Sequence, residues 1–285
     1  MSRHMRAYYY AILGAMGGLI GWQISNILGL SFSSRIYVSD LVVGALIGLS
    51  IGVMIGVAEG LLTRNPVHAL RAGAFGGALG FVAGAVGLPL GEFAFQFSGA
   101  GVAARAFGWG MFGLLVGVAE GVTGRSQMWK GALGGIAGGL VGGVILELAR
   151  EWLGDPMIGK VAGLTLLGMS VGALIALVVV LLSRAWLEVT SGKLKGTEFI
   201  LDKFMRAGGP DAILGSSPLK ADIVLPDPDI DAQHAMLHGL GTHFTLQDMS
   251  TTGTFINGRK IALDRIPGKA KIRLGNTELI YHERR

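Results

Sequence analysis

Two hydrophobic patterns divide the chain. Up to about residue 182, apolar residues come in long runs separated by short polar breaks. Runs that approach or exceed the ~20 residues needed to cross a bilayer predict membrane-spanning helices. Beyond that point apolar residues alternate with polar ones, the period of half-buried strands. The polar breaks place six spans near 7–30, 38–63, 69–90, 104–124, 130–149 and 159–184. The two patterns meet at Ser183–Lys193, so the expected division is a transmembrane domain at 1–186 and a soluble domain at 187–285.

The first domain carries an internal repeat. GAMGGLIG (14–21), GAFGGALG (73–80) and GALGGIAG (131–138) recur about 60 residues apart. Each is followed by a second glycine-rich segment that ends in an arginine, at Arg64, Arg125 and Arg184. Aligning these arginines also aligns Gly52, Gly113 and Gly172. Three tandem helical hairpins follow, with glycine at every fourth position leaving a groove that lets helix backbones approach closely. Such zippers hold helices together within one chain, or form an oligomer interface, or line a pathway.

Orientation comes from the basic residues, which collect on the cytoplasmic side of a membrane. Arg3 and Arg6, Arg64 and Arg71, Arg125 and Lys130, and Arg184 fall on one side, while the opposite loops mix Arg35 with Asp40, Glu92 with Arg105, and Glu147 and Glu151 with Arg150. This predicts a multi-pass protein of the cell membrane, in contact with lipid, with both termini cytoplasmic. The basic, then apolar start resembles a signal peptide, but further apolar segments follow it, which reads as a retained first span.

Composition agrees: 51% of the 285 residues are hydrophobic, 15% are charged, and there are 48 glycines. The net charge of +5 needs no nucleic-acid partner, since its N-terminal share sits at span ends. Cysteine is absent, which excludes disulfides and thiolate chemistry. Two carboxylates stand out, Glu59 and Glu120, in matched GVAEG motifs. A carboxylate at mid-bilayer costs roughly 2.5–3.5 kcal/mol by insertion measurements and is a candidate functional group. Each lies five residues before its arginine, about 7 Å along a helix rising 1.5 Å per residue. Snorkelling, or pairing with Arg64, Arg125 or a neighbouring repeat's base, would accommodate them; an intramembrane ion or substrate site is the alternative. The third repeat has Val179 at this position. The chance pattern Gly108-x-Gly110-x-x-Gly113 lies inside a span with no preceding strand, so it is not a dinucleotide fingerprint.

In the second domain LEVTSG, EFILD, AILG, ADIVL, HAMLHG, HFTLQD, TFING and KIRLGNTELIYH read as short strands divided by turn residues, an all-β sandwich. These residues, together with LGSSPLKADIVLPDPDIDAQHA, LQDMSTTGTFINGRKI and IRLGNTELIY, resemble the forkhead-associated (FHA) domain over essentially all of 187–285. The resemblance implies an eleven-stranded sandwich whose loops at one end bind phosphothreonine peptides. Gly215, Asp222, Ile223, His234, Asp248, Ser250, Gly253, Thr254, Asn257 and Gly258 match the family signature. Three ligand-contacting positions differ: Ser216 stands where the family has the arginine that pairs with phosphate, Asp231 replaces a serine that donates to phosphate, and Thr252 replaces an asparagine that holds the peptide. The implied ligand surface is Ser216, Ser217, Asp231, His234, Ser250, Thr251, Thr252 and Asn257. Phosphothreonine carries about −1.5 to −2 charges and needs charge-assisted donors, so ordinary phosphothreonine recognition is not expected. Lys220 and Arg259 stand near but off the family's contact positions.

Asp227, Asp229 and Asp231 alternate in LPDPDIDAQH and invite a calcium-loop reading. That loop needs glycine at position six and a bidentate acid at position twelve, where this chain has Ala232 and His238. The six histidines show no HExxH spacing, and no nucleophile elbow, phosphate loop or kinase signature occurs. No metal, cofactor or catalytic activity is expected. The expected function is protein–protein interaction by the FHA-like domain within a signalling or multi-subunit membrane assembly, as a homo-oligomer or hetero-complex. The alternative is a channel or transporter subunit that the FHA-like domain regulates.

Overall fold

The computed structural model describes residues 3–29, 36–98, 101–123 and 128–284. Arg35 and Arg125, used above for orientation and for the repeat, lie outside the described residues. Six helices come first: α1 (Arg3–Ile27), α2 (Ile36–Leu62), α3 (Pro66–Ser98), α4 (Val102–Thr123), α5 (Met128–Trp152) and α6 (Pro156–Leu181). Local chemistry sets their ends. Asp155 caps α6, its Oδ1 accepting from the amides of Met157 (2.7 Å) and Ile158 (3.1 Å), with proline at the first helical position, where no N–H is needed. Gly29, at φ +65, follows the end of α1 in the left-handed conformation that closes helices.

Among the described residues, five helices are long and apolar enough to cross a membrane: Leu41–Leu62, Pro66–Ala94, Val102–Val122, Met128–Trp152 and Met157–Leu181. The expected first span is a continuous helix of 25 residues that falls short on apolarity. Arg6, Gln23, Ser25 and Asn26 dilute it, and its most deeply buried large side chain is the polar Tyr10. Helix α3 runs past the expected end near residue 90 to Ser98, with Pro89 inside it. Its polar end is satisfied there, because Glu92 pairs with Arg105 of α4 at 3.5 Å and accepts from Gln96 at 3.2 Å.

The helices close into a ring, each packed on the next and α6 back on α1. All six of these interfaces bring backbones together at glycine, most closely in three of them. A Cβ on Gly48 or Gly52 of α2 would overlap the carbonyls of Gly80 and Gly76 of α3. On α4, one on Gly113 or Gly117 would overlap the carbonyls of Gly135 and Gly131 of α5, and on α6, one on Gly168 or Gly172 would overlap those of Gly14 and Tyr10 of α1.

The sandwich follows directly. One sheet has the order β2-β1-β11-β10-β7-β8 and the other β4-β3-β5-β6-β9. The strands are β1 (Ala185–Val189), β2 (Glu198–Ile200), β3 (Ala212–Gly215), β4 (Ile223–Val224), β5 (Ala235–Gly239), β6 (Phe244–Asp248), β7 (Thr254–Ile256), β8 (Arg259–Ile261), β9 (Leu263–Arg265), β10 (Lys271–Leu274) and β11 (Thr277–Glu283). Between the sheets lie Leu187, Phe199, Leu214, Leu237, Leu246, Ile272 and Leu279, with Phe244 and Tyr281 edge to face at 6.0 Å. Strands β8 and β9 are absent from the alternation pattern because five of their six residues are exposed, leaving no buried face to read.

The sandwich sits on the ring through polar contacts. Buried Lys130, at the start of α5, pairs with Asp202, on a 3-10 turn (Asp202–Phe204) after β2. Lys203 Nζ donates to the Val122 carbonyl at 3.2 Å, and Arg284 Nη1 to that of Leu181 at 2.8 Å.

Candidate functional site

The loops between β3 and β4, β4 and β5, and β6 and β7 meet at one end of the sandwich, and Asp231 joins them. Its Oδ2 accepts from the Thr251 amide (2.7 Å) and hydroxyl (3.0 Å), while its own carbonyl accepts from the Ser216 amide (3.0 Å). The two Thr251 hydrogen bonds, led by the backbone one, hold the Asp231 carboxyl below the usual aspartate range. Gly215 allows this closeness, since a Cβ there would overlap the Ala232 carbonyl.

The other expected ligand residues divide between shaping the loops and facing outward. His234 is fully buried; its amide donates to the Leu214 carbonyl (2.8 Å), its carbonyl accepts from Met249 (2.9 Å), and Nδ1 accepts from the Asp231 amide (3.2 Å). Ser250 turns inward, donating to Asp248 Oδ1 at 2.7 Å and accepting from the Gly253 amide at 2.7 Å. Burial works to raise the Asp248 carboxyl, but hydrogen bonds from Ser250 and Thr254 outweigh it and hold it low. Asn257, at φ +50, exchanges hydrogen bonds with the Lys271 backbone through its amide and Oδ1, fixing the β7–β8 turn. Thr251 and Thr252 are exposed, and Ser216 and Ser217 are half-buried on the β3–β4 turn.

Asp227 and Asp229 turn away from Asp231. Asp227 Oδ2 accepts from the Asn276 amide (3.1 Å) and the Thr277 hydroxyl (2.8 Å), and the Asp229 carboxylate is bonded to the Asn276 side chain. The two acids therefore brace the β10–β11 turn, where Gly275 adopts φ +53. Among the described residues no group of three or more His, Cys, Asp or Glu could hold a metal ion.

One residue escaped sequence reading. Lys260 of β8 lies over Gly253, its Nζ 2.7 Å from where a Cβ on that glycine would be. It is a cation at the edge of the Thr251–Thr252 loop. The only signal for it is Gly253, whose φ of +99 and missing side chain admit the lysine.

A second cluster lies at the end of the ring that faces the sandwich. Arg6 pairs with Glu59, and the Tyr10 hydroxyl donates to Glu120 Oε1 at 2.9 Å. Tyr10, Glu59 and Glu120 are all buried. The matched carboxylates of the first two repeats thus share α1 as their source of partners. Val179, the counterpart in the third repeat, is buried and apolar.

The FHA domain family matches residues 212–275, which span the loops just described. The C-terminal sandwich of this chain belongs to the FHA family. The FHA domain of CT664 from Chlamydia trachomatis is 33% identical, over 36% of this chain and 100% of that one, with a TM-score of 0.32. The FhaA FHA domain, solved in complex with the intracellular domain of Rv3910, is 26% identical over 34% and 99% of the two chains, with a TM-score of 0.30. The cytoplasmic domain of PscD, a T3SS sorting platform protein from P. aeruginosa, is 24% identical over 35% and 80%, with a TM-score of 0.31. No curated protein matches the chain. FHA domains are interaction modules rather than enzymes, so the sandwich assigns this protein to protein–protein interaction, following helices apolar enough to span a membrane.

The Asp231 bridge has a pH dependence. An aspartate whose folded pKa is depressed stabilises the fold above its ordinary range, and that contribution is lost as pH falls through the depressed value. Hydrogen exchange at the Thr251 amide is therefore expected to stay slow through the ordinary aspartate range in the wild type and to be fast at neutral pH in Asp231→Ala. Equal rates in the two proteins at neutral pH would rule out the bridge.

Proposed function

We propose that this protein is an integral membrane scaffold whose FHA domain holds a protein partner without depending on phosphothreonine. The observation that carries this reading is the state of Asp231. Its carboxylate accepts both donors of Thr251 at the loop junction and places a negative charge there. A phosphate approaching that junction meets a like charge and donors already in use, and Ser216 supplies no cation to offset the repulsion. Lys260 and Arg259 on β8 leave the neighbouring rim basic, so the surface is mixed in charge. It suits a partner segment that pairs an amide- or base-rich stretch with an acidic side chain.

The test is titration of the full-length protein in nanodiscs with paired threonine and phosphothreonine peptide libraries. Peptides that bind should do so with affinities that differ less than about threefold, under 1 kcal/mol, between the two forms. The variant Ser216→Arg/Asp231→Ser should gain a preference for phosphothreonine of roughly tenfold or more, because a charge-assisted hydrogen bond contributes about 1.5–3 kcal/mol. Strong phosphothreonine preference in the wild type would overturn the reading.

A further inference from the structure

The cluster at the sandwich-facing end of the ring holds two carboxylates and, among the described residues, one guanidinium. Arg6 is committed to Glu59 by an ion pair. Glu120 is 3% exposed, and Tyr10 supplies one hydrogen bond to its Oε1. Its other oxygen, Oε2, is buried without a hydrogen-bond partner. A dehydrated carboxylate with a vacant oxygen is costly unless a positive charge joins it.

The surrounding elements supply no further fixed charge for it. From α1 come Arg6 and Tyr10, and from α2 comes Glu59, whose negative field at Glu120 is opposed by Arg6. Helix α5 brings Lys130, which is held by Asp202. Helix α6 has Val179 at the matching repeat position. On α3, His68 and Arg71 line a separate cavity with Lys203 and Asp222. One cavity reaches the Arg6–Glu59 pair, though Glu120 itself does not line it. This cavity, between ring and sandwich, is lined by Arg6 and Glu59 on the helical side and by Thr197 and Glu198 on the FHA side, with Thr63 and Ser183 between them. Leu62, Val180, Trp186 and Ile200 make the rest of the wall apolar, so its polar groups gather at the Arg6–Glu59 pair and Glu198.

We propose that Glu120 binds one small monovalent cation, a proton or an alkali ion, at its buried unpartnered oxygen, beside the Arg6–Glu59 pair that lines the cavity beneath the FHA domain. The bound cation balances the surplus carboxylate, while Glu59 with Arg6 forms the fixed pair beside it and Tyr10 orients the carboxylate. This inference stands apart from how the FHA domain selects its partner.

The experiment uses the full-length protein in nanodiscs. Its thermal unfolding midpoint is followed against pH in choline buffer, then against Na+ at fixed pH, for the wild type, Glu120→Gln and Tyr10→Phe. In parallel, N,N′-dicyclohexylcarbodiimide, which modifies protonated carboxyl groups in apolar surroundings, is mapped by peptide mass spectrometry. The expected wild-type midpoint depends on pH or on Na+, that dependence is lost in Glu120→Gln, and Tyr10→Phe shifts its half-point several-fold. A response to pH alone, with labelling of Glu120 that fades as pH rises, identifies a proton. Protection of Glu120 by Na+ and not by choline identifies an alkali ion. Identical pH and Na+ responses in wild type and Glu120→Gln overturn the proposal whatever the labelling shows.

Discussion

Replacing Lys130 with alanine should destabilise the folded protein by ~3–5 kcal/mol, the usual cost of removing one partner of a buried ion pair. Lys130 and Asp202 are each 1% exposed, so neither charge can turn to water when the other is lost. Asp202 also accepts from the amides of Arg184 (2.9 Å) and Ala185 (3.1 Å), where α6 passes into β1. Asp202→Ala would orphan those two donors as well as Lys130 and should cost more than Lys130→Ala. The apolar double variant Lys130→Met/Asp202→Leu removes both charges together, so its loss should fall well short of the summed single losses. Chemical unfolding in micelles measures the cycle, and limited proteolysis near residues 182–186 reports whether the sandwich has come away from the ring. A loss of less than about 1 kcal/mol in Lys130→Ala would show that the pair is solvated and does not fasten the sandwich.

Gly113→Ala should destabilise the helical ring by ~3 kcal/mol or more, at or beyond the upper end of ordinary overpacking. A Cβ there would overlap the Gly135 carbonyl of α5, and backbone cannot rotate aside as a side chain can. Gly110, three residues earlier on the same helix, is the control. A Cβ at that position would meet only the Leu140 side chain, at 2.9 and 3.1 Å. Leucine can change rotamer, and alanine gains about 1 kcal/mol over glycine in helix propensity, so Gly110→Ala should be nearly neutral. Equal effects of the two substitutions on the unfolding midpoint would mean that the α4–α5 contact is looser than described.

The order of helices and sandwich, and the FHA character of the sandwich, were legible because each rests on local pattern. Long apolar runs and period-two alternation are properties of neighbouring residues, and Gly215, His234, Gly253 and Asn257 carry loop conformations that tolerate few substitutes. The pattern weakened where burial was partial. Helix α1 mixes Arg6 and tyrosines into its apolar run, and β8 and β9 bury almost nothing, so hydropathy marks the one ambiguously and the others not at all. Lys260 was illegible as a site residue because its position depends on what Gly253 omits, seven residues away across a hairpin.

The acidic run 227–231 shows the same limit within one segment. Sequence rules out a calcium loop from the missing glycine and glutamate, but it cannot tell three similar aspartates apart. In the fold Asp227 and Asp229 reach Asn276 and Thr277, 47 to 50 positions on, whereas Asp231 reaches Thr251, 20 positions on.

By itself, then, the sequence determined a helical, apolar first part, an FHA sandwich after it, and the residue types that could carry charge in each. Only the tertiary structure decided their partners: Arg6 with Glu59, Tyr10 with Glu120, and Lys130 with Asp202, at separations of 53, 110 and 72 residues. Hydrophobic periodicity needs only the neighbouring chain to be expressed. An ion pair or a hydrogen bond acts over a few ångströms, so which groups meet is settled when helices and sheets have packed.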